Sequence, residues 1–207
     1  MELDWDQFTN SFLLLLVLLN PFIMSIYLLD LVKQVELRVF TQLIVRAFLI
    51  SLVVFLLFAW LGERVFDNVF QVRFLAFMIF GGITFLIIGV RLILGVGPPV
   101  STMNPQSREV AGAIAMPFIV GPGTISACVI AGSRVGAPGA SLAIVLAMVV
   151  AAGSMILLKA IHDWVQTRHE QYVERYVEIA GRLTALFTGS FAVDMILKGL
   201  ERWLQLP

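Results

Sequence analysis

Residues 119–126, IVGPGTIS, and residues 18–25, LLNPFIMS, each place a proline in the middle of an apolar block. Proline has no N–H and its ring clashes with the carbonyl four residues earlier, so a helix bends or breaks at this point. The two stretches align with one another, because Pro21 matches Pro122 and Ser25 matches Ser126 in the same register. They predict two equivalent, interrupted helices.

The composition excludes a water-soluble protein. Of the 207 residues, 59% are hydrophobic and 14% are charged, and the mean hydropathy is +0.94. Soluble domains carry about 25% charged residues. The net charge is zero, so no basic surface favours nucleic acid. The single cysteine, Cys128, excludes a disulfide framework and a Cys-x-x-Cys redox pair.

The apolar residues form blocks of about twenty, long enough to cross a hydrocarbon core of about 30 Å. Because the blocks are apolar on every face, they predict helices rather than the alternating strands of a barrel. Lys and Arg are more frequent in alternate loops, which favours both termini on the side away from the cytoplasm. The six predicted spans are 11–31, 39–61, 73–94, 110–132, 140–161 and 179–200.

The third and sixth spans align like the first and fourth. Gly81 matches Gly181 and Gly89 matches Gly189. Three crossings are an odd number, so the second repeat must enter the membrane from the opposite side. The predicted fold is therefore an all-α polytopic membrane protein of six helices in two inverted repeats, the architecture of many secondary transporters. The predicted parts are a first repeat over 1–94, a cytoplasmic linker over 95–109 and a second repeat over 110–207.

The interruptions are also the candidate binding site. Helices broken near the midplane would leave free N–H groups around residues 22–24 and 123–125, and free carbonyls around 16–19 and 117–120. No charged residue lies within one turn of either break, which favours a neutral or zwitterionic solute that meets no counter-charge. We predict no catalytic residue, metal or cofactor. The candidate solute-binding residues are Asn20, Pro21, Ser25, Gly121, Pro122, Gly123, Thr124 and Ser126.

Other residues in the spans have structural interpretations. Asp194 is a carboxylate inside the sixth span, and Lys198, four residues later near its outer end, predicts an ion pair within the helix. Small residues such as Gly81 and Gly89 predict that the third and sixth helices each approach a neighbouring helix closely, beside the broken ones. Two charged segments, 62–72 and 162–178, are either amphipathic helices in the membrane interface or solvated loops.

The Asn20-Pro21 pair, the segment AMPFIVGPGTIS over 115–126 and FGGITFLIIGVRLI over 80–93 resemble the MarC family of bacterial inner-membrane proteins. The likeness covers essentially the whole chain. In that family the first break reads Asp or Asn, then Pro, then Gly two residues later, whereas Phe22 and Ile23 follow Pro21 here. Through its SnatA-type members, the resemblance implies transport of a small neutral amino acid such as glycine or alanine.

The sequence thus predicts a transporter in the bacterial inner membrane, with lipid as its surroundings and a proton or sodium ion as a possible coupling ion. Two alternatives stay open. A non-transporting scaffold or regulator would have kinks in place of binding breaks. An intramembrane serine protease would need a base near Ser25 or Ser126, but His162 and His169 lie at the predicted cytoplasmic boundary. An enzyme is therefore not expected.

Overall fold

The computed structural model describes residues 4–21, 24–25, 28–62, 64–65, 73–94, 109–166 and 170–204. Every element within these residues is helical, which confirms the predicted all-α class. The helices are α1 (Trp5–Leu19), α2 (Leu29–Gln34), α3 (Leu37–Leu61), α4 (Phe74–Ile93), α5 (Glu109–Ile114) with a π-helical turn (Ala115–Ile119), α6 (Pro122–Gln166) and α7 (Glu170–Leu204).

Local sequence signals set several helix ends. The Asp4 carboxylate accepts hydrogen bonds from the backbone N–H groups of Asp6, at 3.1 Å, and Gln7, at 3.2 Å, and so caps the start of α1. Helix α3 ends at Gly62, whose φ of 63° suits a residue without a Cβ. The Gly62 N–H closes the last turn on the Phe58 carbonyl at 2.9 Å.

Three helices among the described residues are long and apolar enough to cross a membrane. They are Leu37–Leu61, Phe74–Arg91 and Pro122–Trp164, whose apolar 18-residue stretches have mean hydropathies of 2.6, 2.1 and 2.5. Helix α1 is a shorter apolar helix. These helices agree with an integral membrane protein, and the number of six crossings stays a prediction.

Helix α6 contains a sharp turn at Gly136, where φ is 70° and ψ is 168°. Residues on both sides of Gly136 contact the same end of α3. A Cβ on Gly132 would lie 2.0 Å from the Ala59 carbonyl oxygen, and the Trp60 Nε1–H donates to Ser141 Oγ at 2.9 Å. Because the chain returns to the same neighbour, Gly136 divides α6 close to the predicted boundary between the fourth and fifth spans.

Helix α3 packs along α6 through complementary side-chain sizes. The buried residues of α3 include Phe40, Phe48 and Phe55, whereas those of α6 include Ala143 and Ala147. Small residues on one helix let the backbone of its neighbour approach, and van der Waals contact is the main attraction between helices in lipid. The outward faces of both helices are exposed and apolar, as lipid contact requires.

Helices α4 and α7 pack along each other and run antiparallel. A Cβ on Gly199 would lie 2.6 Å from Ile79 Cγ1, and one on Gly89 would lie 3.1 Å from the Gly189 nitrogen. Residue numbers therefore rise along one helix and fall along the other in the same direction through the contact. Close packing of the predicted third and sixth helices is confirmed at these small residues.

The four tryptophans of the chain stand at helix ends and are exposed. Trp5 begins α1, whereas Trp60, Trp164 and Trp203 each lie within the last three residues of a helix. Tryptophan concentrates at the boundary between hydrocarbon and water, where its ring is buried in lipid and its N–H stays wet. Their placement agrees with helices that span a bilayer.

Several predictions fall on residues outside those described. They include nearly all of the linker over 95–109 and most of the segment over 62–72. In the second charged segment, 162–178, the backbone is helical up to Gln166 and again from Glu170, where α7 begins. A solvated loop is therefore wrong for residues 170–178, because they continue directly into the sixth predicted span as one helix.

Candidate functional site

The second interruption is an extended disruption of the helix over residues 115–121. Met116 leaves helical geometry, with φ of −118° and ψ of 130°. The Val120 N–H bonds to the Ala115 carbonyl at 2.8 Å, five residues back, which gives a π-helical turn. Regular helix resumes at Pro122, as proline's fixed φ and missing N–H favour at a first helical position. The predicted break at Gly121-Pro122-Gly123 is confirmed.

Thr124 holds this second break in place. Its side-chain oxygen accepts a hydrogen bond from the Gly121 N–H at 3.0 Å, and its hydroxyl proton lies within reach of the carbonyl oxygens of Ile119, at 2.8 Å, and Gly121, at 2.9 Å. Thr124 and Gly121 are both buried. A hydroxyl can satisfy the backbone groups that a broken helix leaves over, so Thr124 acts as an internal cap.

At the first interruption Asn20 leaves helical geometry, with φ of 21° and ψ of 86°. Helical hydrogen bonds continue on both sides of it. The Asn20 N–H bonds to the Leu16 carbonyl at 3.1 Å, and the Asn20 carbonyl accepts from the Met24 N–H at 3.1 Å. Pro21 cannot supply an N–H to Val17, so this helical hydrogen bond is lost at the first break.

Some backbone groups that the sequence predicts to be free are therefore bonded. The carbonyls of Leu16 and Ile119 each accept a hydrogen bond, and the N–H groups of Met24 and Ile125 each donate one. The prediction of unpaired main chain is wrong for these four residues. The physical reason is that the Met24 N–H reaches the Asn20 carbonyl across the first break, whereas the second break acquires a side-chain cap.

Helix α4 lies directly against the second break. A Cβ on Gly81 would lie only 1.8 Å from Pro122 Cγ, so no other residue type fits there without movement. On the next residue, a Cβ on Gly82 would lie 2.8 Å from the Ala192 carbonyl oxygen and 2.6 Å from Ile196 Cγ1 of α7. The same turn of α4 thus contacts the second break on one side and α7 on the other.

A cavity of about 370 Å³ lies between the two breaks, α4 and α7. Its size is at the lower end of small-molecule sites, which span about 300–1,000 Å³. Of the eight predicted residues, Pro21, Ser25 and Pro122 are not on its wall; Pro122 is buried against Gly81. The predicted residues that line it are Asn20, Gly121, Gly123, Thr124 and Ser126.

Helices α4 and α7 supply lining residues that the sequence analysis did not assign to the site. Met78 and Phe85 come from α4, and Thr188, Phe191 and Met195 come from α7. Four of these five side chains are apolar, so they give the cavity an apolar wall opposite the polar residues of the breaks. Two sequence features could have indicated these residues. They are the alignment of the third and sixth spans and the predicted position of these spans beside the broken helices.

The cavity wall also carries an ion pair. Lys198 Nζ lies 2.7 Å from Asp194 Oδ2, which confirms the predicted pair within α7. Both side chains remain more than half exposed in the protein, at 59% for Lys198 and 52% for Asp194, and both line the cavity. Although no charged residue lies within one turn of either break along the chain, two charged residues therefore line the same cavity as the breaks. Sequence reasoning missed these charges because they lie far from the second break along the chain. Helix packing brings α7 to the level of that break.

Other polar groups lie away from this wall. The Ser25 hydroxyl is buried and has no hydrogen-bond partner among the described residues, and it does not line the cavity. His162, near the end of α6, lies 3.6 Å from Asp163 and also does not line it. Over the described part of the chain, no group of three or more His, Cys, Asp or Glu residues could hold a metal ion.

Comparison with known proteins gives one match. No curated protein and no solved structure matches this chain. A family model described as the MarC family of integral membrane proteins matches residues 5–204, from the start of α1 to the end of α7. The match covers both interruptions, the cavity wall and the ion pair. The chain therefore belongs to the MarC family of integral membrane proteins.

Proposed function

We propose that the protein transports a small zwitterionic solute, such as glycine or alanine, and binds it in the cavity between the two interruptions. The observation that carries the proposal is that residues of both breaks, Asn20 on one side and Gly121, Gly123 and Thr124 on the other, line one small cavity. Matching interruptions in two repeats are a frequent origin of transporter binding sites. The proposed location is the bacterial inner membrane, with both termini on the periplasmic side.

Alternating access would come from six spans in two inverted repeats. The contact between Gly89 and Gly189 supports this arrangement, because these residues are equivalent in the alignment of the two halves. Equivalent residues meet where a pseudo-two-fold axis passes between two helices. The antiparallel course of α4 and α7 through that contact is what an axis in the membrane plane requires.

The cavity chemistry supports a solute with a short apolar part and opposite charges. Its volume of about 370 Å³ leaves room for a small amino acid and a few waters. Asn20 and Ser126 offer neutral polar groups, and Phe191 and Met195 offer apolar contact. A proton or a sodium ion is the proposed coupling ion, and uptake and export are equally compatible with this cavity.

The test is solute-dependent stabilisation of the detergent-purified protein across the neutral amino acids. A ligand that binds the folded state at 100 times its Kd stabilises it by about 2.7 kcal/mol. We expect a raised unfolding midpoint with glycine or alanine, and accumulation of the same labelled solute in liposomes under a proton or sodium gradient. Stabilisation without accumulation would favour a sensor or scaffold, and the absence of both would reject the proposal.

A graded pair of variants locates the site. The position of a Cβ on Gly123 is open, because its nearest atom is Leu18 Cδ2 at 3.8 Å. Gly123→Ala should therefore bind the solute nearly as well as the wild type. Gly123→Leu, which projects three more carbons towards the cavity, should reduce affinity at least about tenfold by occupying the solute's space. Equal binding by both variants would place the solute elsewhere.

A further inference from the structure

We propose that Asp194 and Lys198 recognise the charged ends of the solute by exchanging their own ion pair for two pairs with it. The Asp194 carboxylate would bind the solute's ammonium group, and the Lys198 ammonium would bind its carboxylate. This inference rests on the proposed function, because it assigns a role within the same cavity. It adds two specificity-determining residues from α7 to the polar residues that the interruptions supply.

The placement of the pair is the first argument. Among the described residues that line the cavity, Asp194 and Lys198 are the only charged ones. Gly81 contacts Pro122 while Gly82 contacts Ala192 and Ile196, so the helical turn that bears Asp194 lies level with the second break. A solute held beside Gly121 and Thr124 would therefore lie across the cavity from a carboxylate and an ammonium group.

Exposure is the second argument. Side chains of an ion pair sealed inside protein would be nearly inaccessible, but these two are more than half exposed to the space beside α7. Charged groups in contact with hydrocarbon are costly, so they normally face a polar cavity or the bundle interior. Since both residues line the cavity, their charged ends can meet a solute that enters it.

The geometry of the pair suits an α-amino acid. Its ammonium and carboxylate groups are attached to one carbon, so its two charges lie a few ångströms apart. The Asp194 and Lys198 charges are similarly close, 2.7 Å between Oδ2 and Nζ, and they are carried by flexible side chains one helical turn apart. A small opening of the pair can therefore present both groups to one solute molecule.

Charge balance then discriminates between solutes. Exchange with a zwitterion leaves every charge paired, and the loaded cavity stays neutral. An anion would leave Asp194 unpaired and a cation would leave Lys198 unpaired, and an unpaired charge in a poorly solvated site is strongly unfavourable. We expect the wild-type protein to bind alanine at least about 100-fold more tightly than propionate or alaninamide, its singly charged analogues.

The experiment measures stabilisation of the full-length, detergent-purified protein by alanine, propionate and alaninamide. Asp194→Asn should lose at least about tenfold in alanine affinity and gain relative affinity for propionate, since Lys198 is then free to pair with an anion. Lys198→Gln should lose alanine affinity similarly and gain relative affinity for alaninamide. Opposite shifts of preference in the two variants are the result that a merely structural ion pair would not give.

Two further variants keep the outcome decisive. Asp194→Lys combined with Lys198→Asp restores an ion pair with its ends exchanged, and it should bind alanine within about threefold of the wild type, since both charges are again paired. If a single variant fails to fold, this double variant decides: a folded protein without alanine binding would overturn the inference. Ser154→Ala, on the α6 helix and outside the cavity wall, is the matched control and should bind as the wild type does.

The failure of this inference can be told apart from failure of the proposed function. If no neutral amino acid stabilises the wild-type protein, the proposed function fails, and the inference fails with it. If alanine stabilises the wild type and both single variants equally, with unchanged preference among the three solutes, only the inference fails. The cavity would then bind its solute through the polar groups of the interruptions alone.

Discussion

The two interruptions start from the same kind of sequence signal and reach different structures. At the first, Asn20 leaves helical geometry, but its N–H still bonds to Leu16 and its carbonyl still accepts from the Met24 N–H. At the second, the disruption extends from Ala115 to Gly121 and is fixed by the hydroxyl of Thr124 and by α4 packed on Pro122. A proline alone costs a helix one hydrogen bond, whereas glycines and a polar cap beside it allow the helix to be rebuilt.

This difference predicts that the second break depends on the Thr124 hydroxyl and on α4, and that the unusual backbone conformation of Asn20 matters at the first. Residues of both breaks line one cavity. The wall at the second break is held by specific contacts, and the wall at the first break has fewer of them among the described residues. Substitutions that act on one break and spare the other can test this difference.

The largest effect is expected for Gly81→Ala. The added methyl group would lie 1.8 Å from Pro122 Cγ, and the proline ring cannot rotate away. Overpacking of this kind costs about 3 kcal/mol, so the midpoint of thermal unfolding in detergent should fall sharply. Gly153→Ala is the control, because no atom lies within 4 Å of its Cβ position. A Gly81→Ala protein as stable as that control would show that the second break is no more constrained than the first.

A smaller effect is expected for Thr124→Val, which keeps the shape of the side chain and removes its hydroxyl. The buried N–H of Gly121 would lose its partner, at a cost of about 1–3 kcal/mol. Thr124→Ser keeps the hydroxyl and should remain close to the wild type in unfolding midpoint. If valine and serine variants were equally stable, the cap would contribute nothing, and the distinction between the two breaks would rest on packing alone.

The smallest of these effects is expected at the first break. Asn20 has a positive φ, which glycine adopts freely and a β-branched residue adopts poorly. Asn20→Val and Asn20→Gly both remove the amide side chain, so their difference isolates the backbone strain. The valine variant should unfold at a lower temperature, by the equivalent of about 1–2 kcal/mol. Equal stability of the two variants would mean that the kink relaxes without cost.

Sequence reasoning predicted the features that depend on local chemistry. The interruptions at Asn20 and Gly121 follow from proline and from residues that tolerate non-helical geometry. The Asp194–Lys198 pair follows from its spacing of one helical turn. The close helix packing at Gly81 and Gly89 follows from small residues in an apolar span. Family membership follows from the motifs around these positions.

The features that sequence reasoning missed depend on tertiary packing. No charge lies near either break along the chain, yet the turn of α7 that carries Asp194 packs at the level of Pro122. The Thr124 cap was missed for a related reason, because a threonine next to a break reads equally well as a ligand for solute or for backbone. Periodicity identifies helices, but it does not identify which helical turns share a depth.

At Gly81 and Gly82, one turn of α4 lies in direct contact with both the second break and α7. Side chains usually cushion small displacements between helices by changing rotamer, but a glycine has none to change. Pro122 rests directly on the main chain of α4 on one side, and α7 rests on it on the other. We therefore expect a shift of the broken helix to displace the helix that carries Asp194 and Lys198 as well, so that the two walls of the cavity would move together.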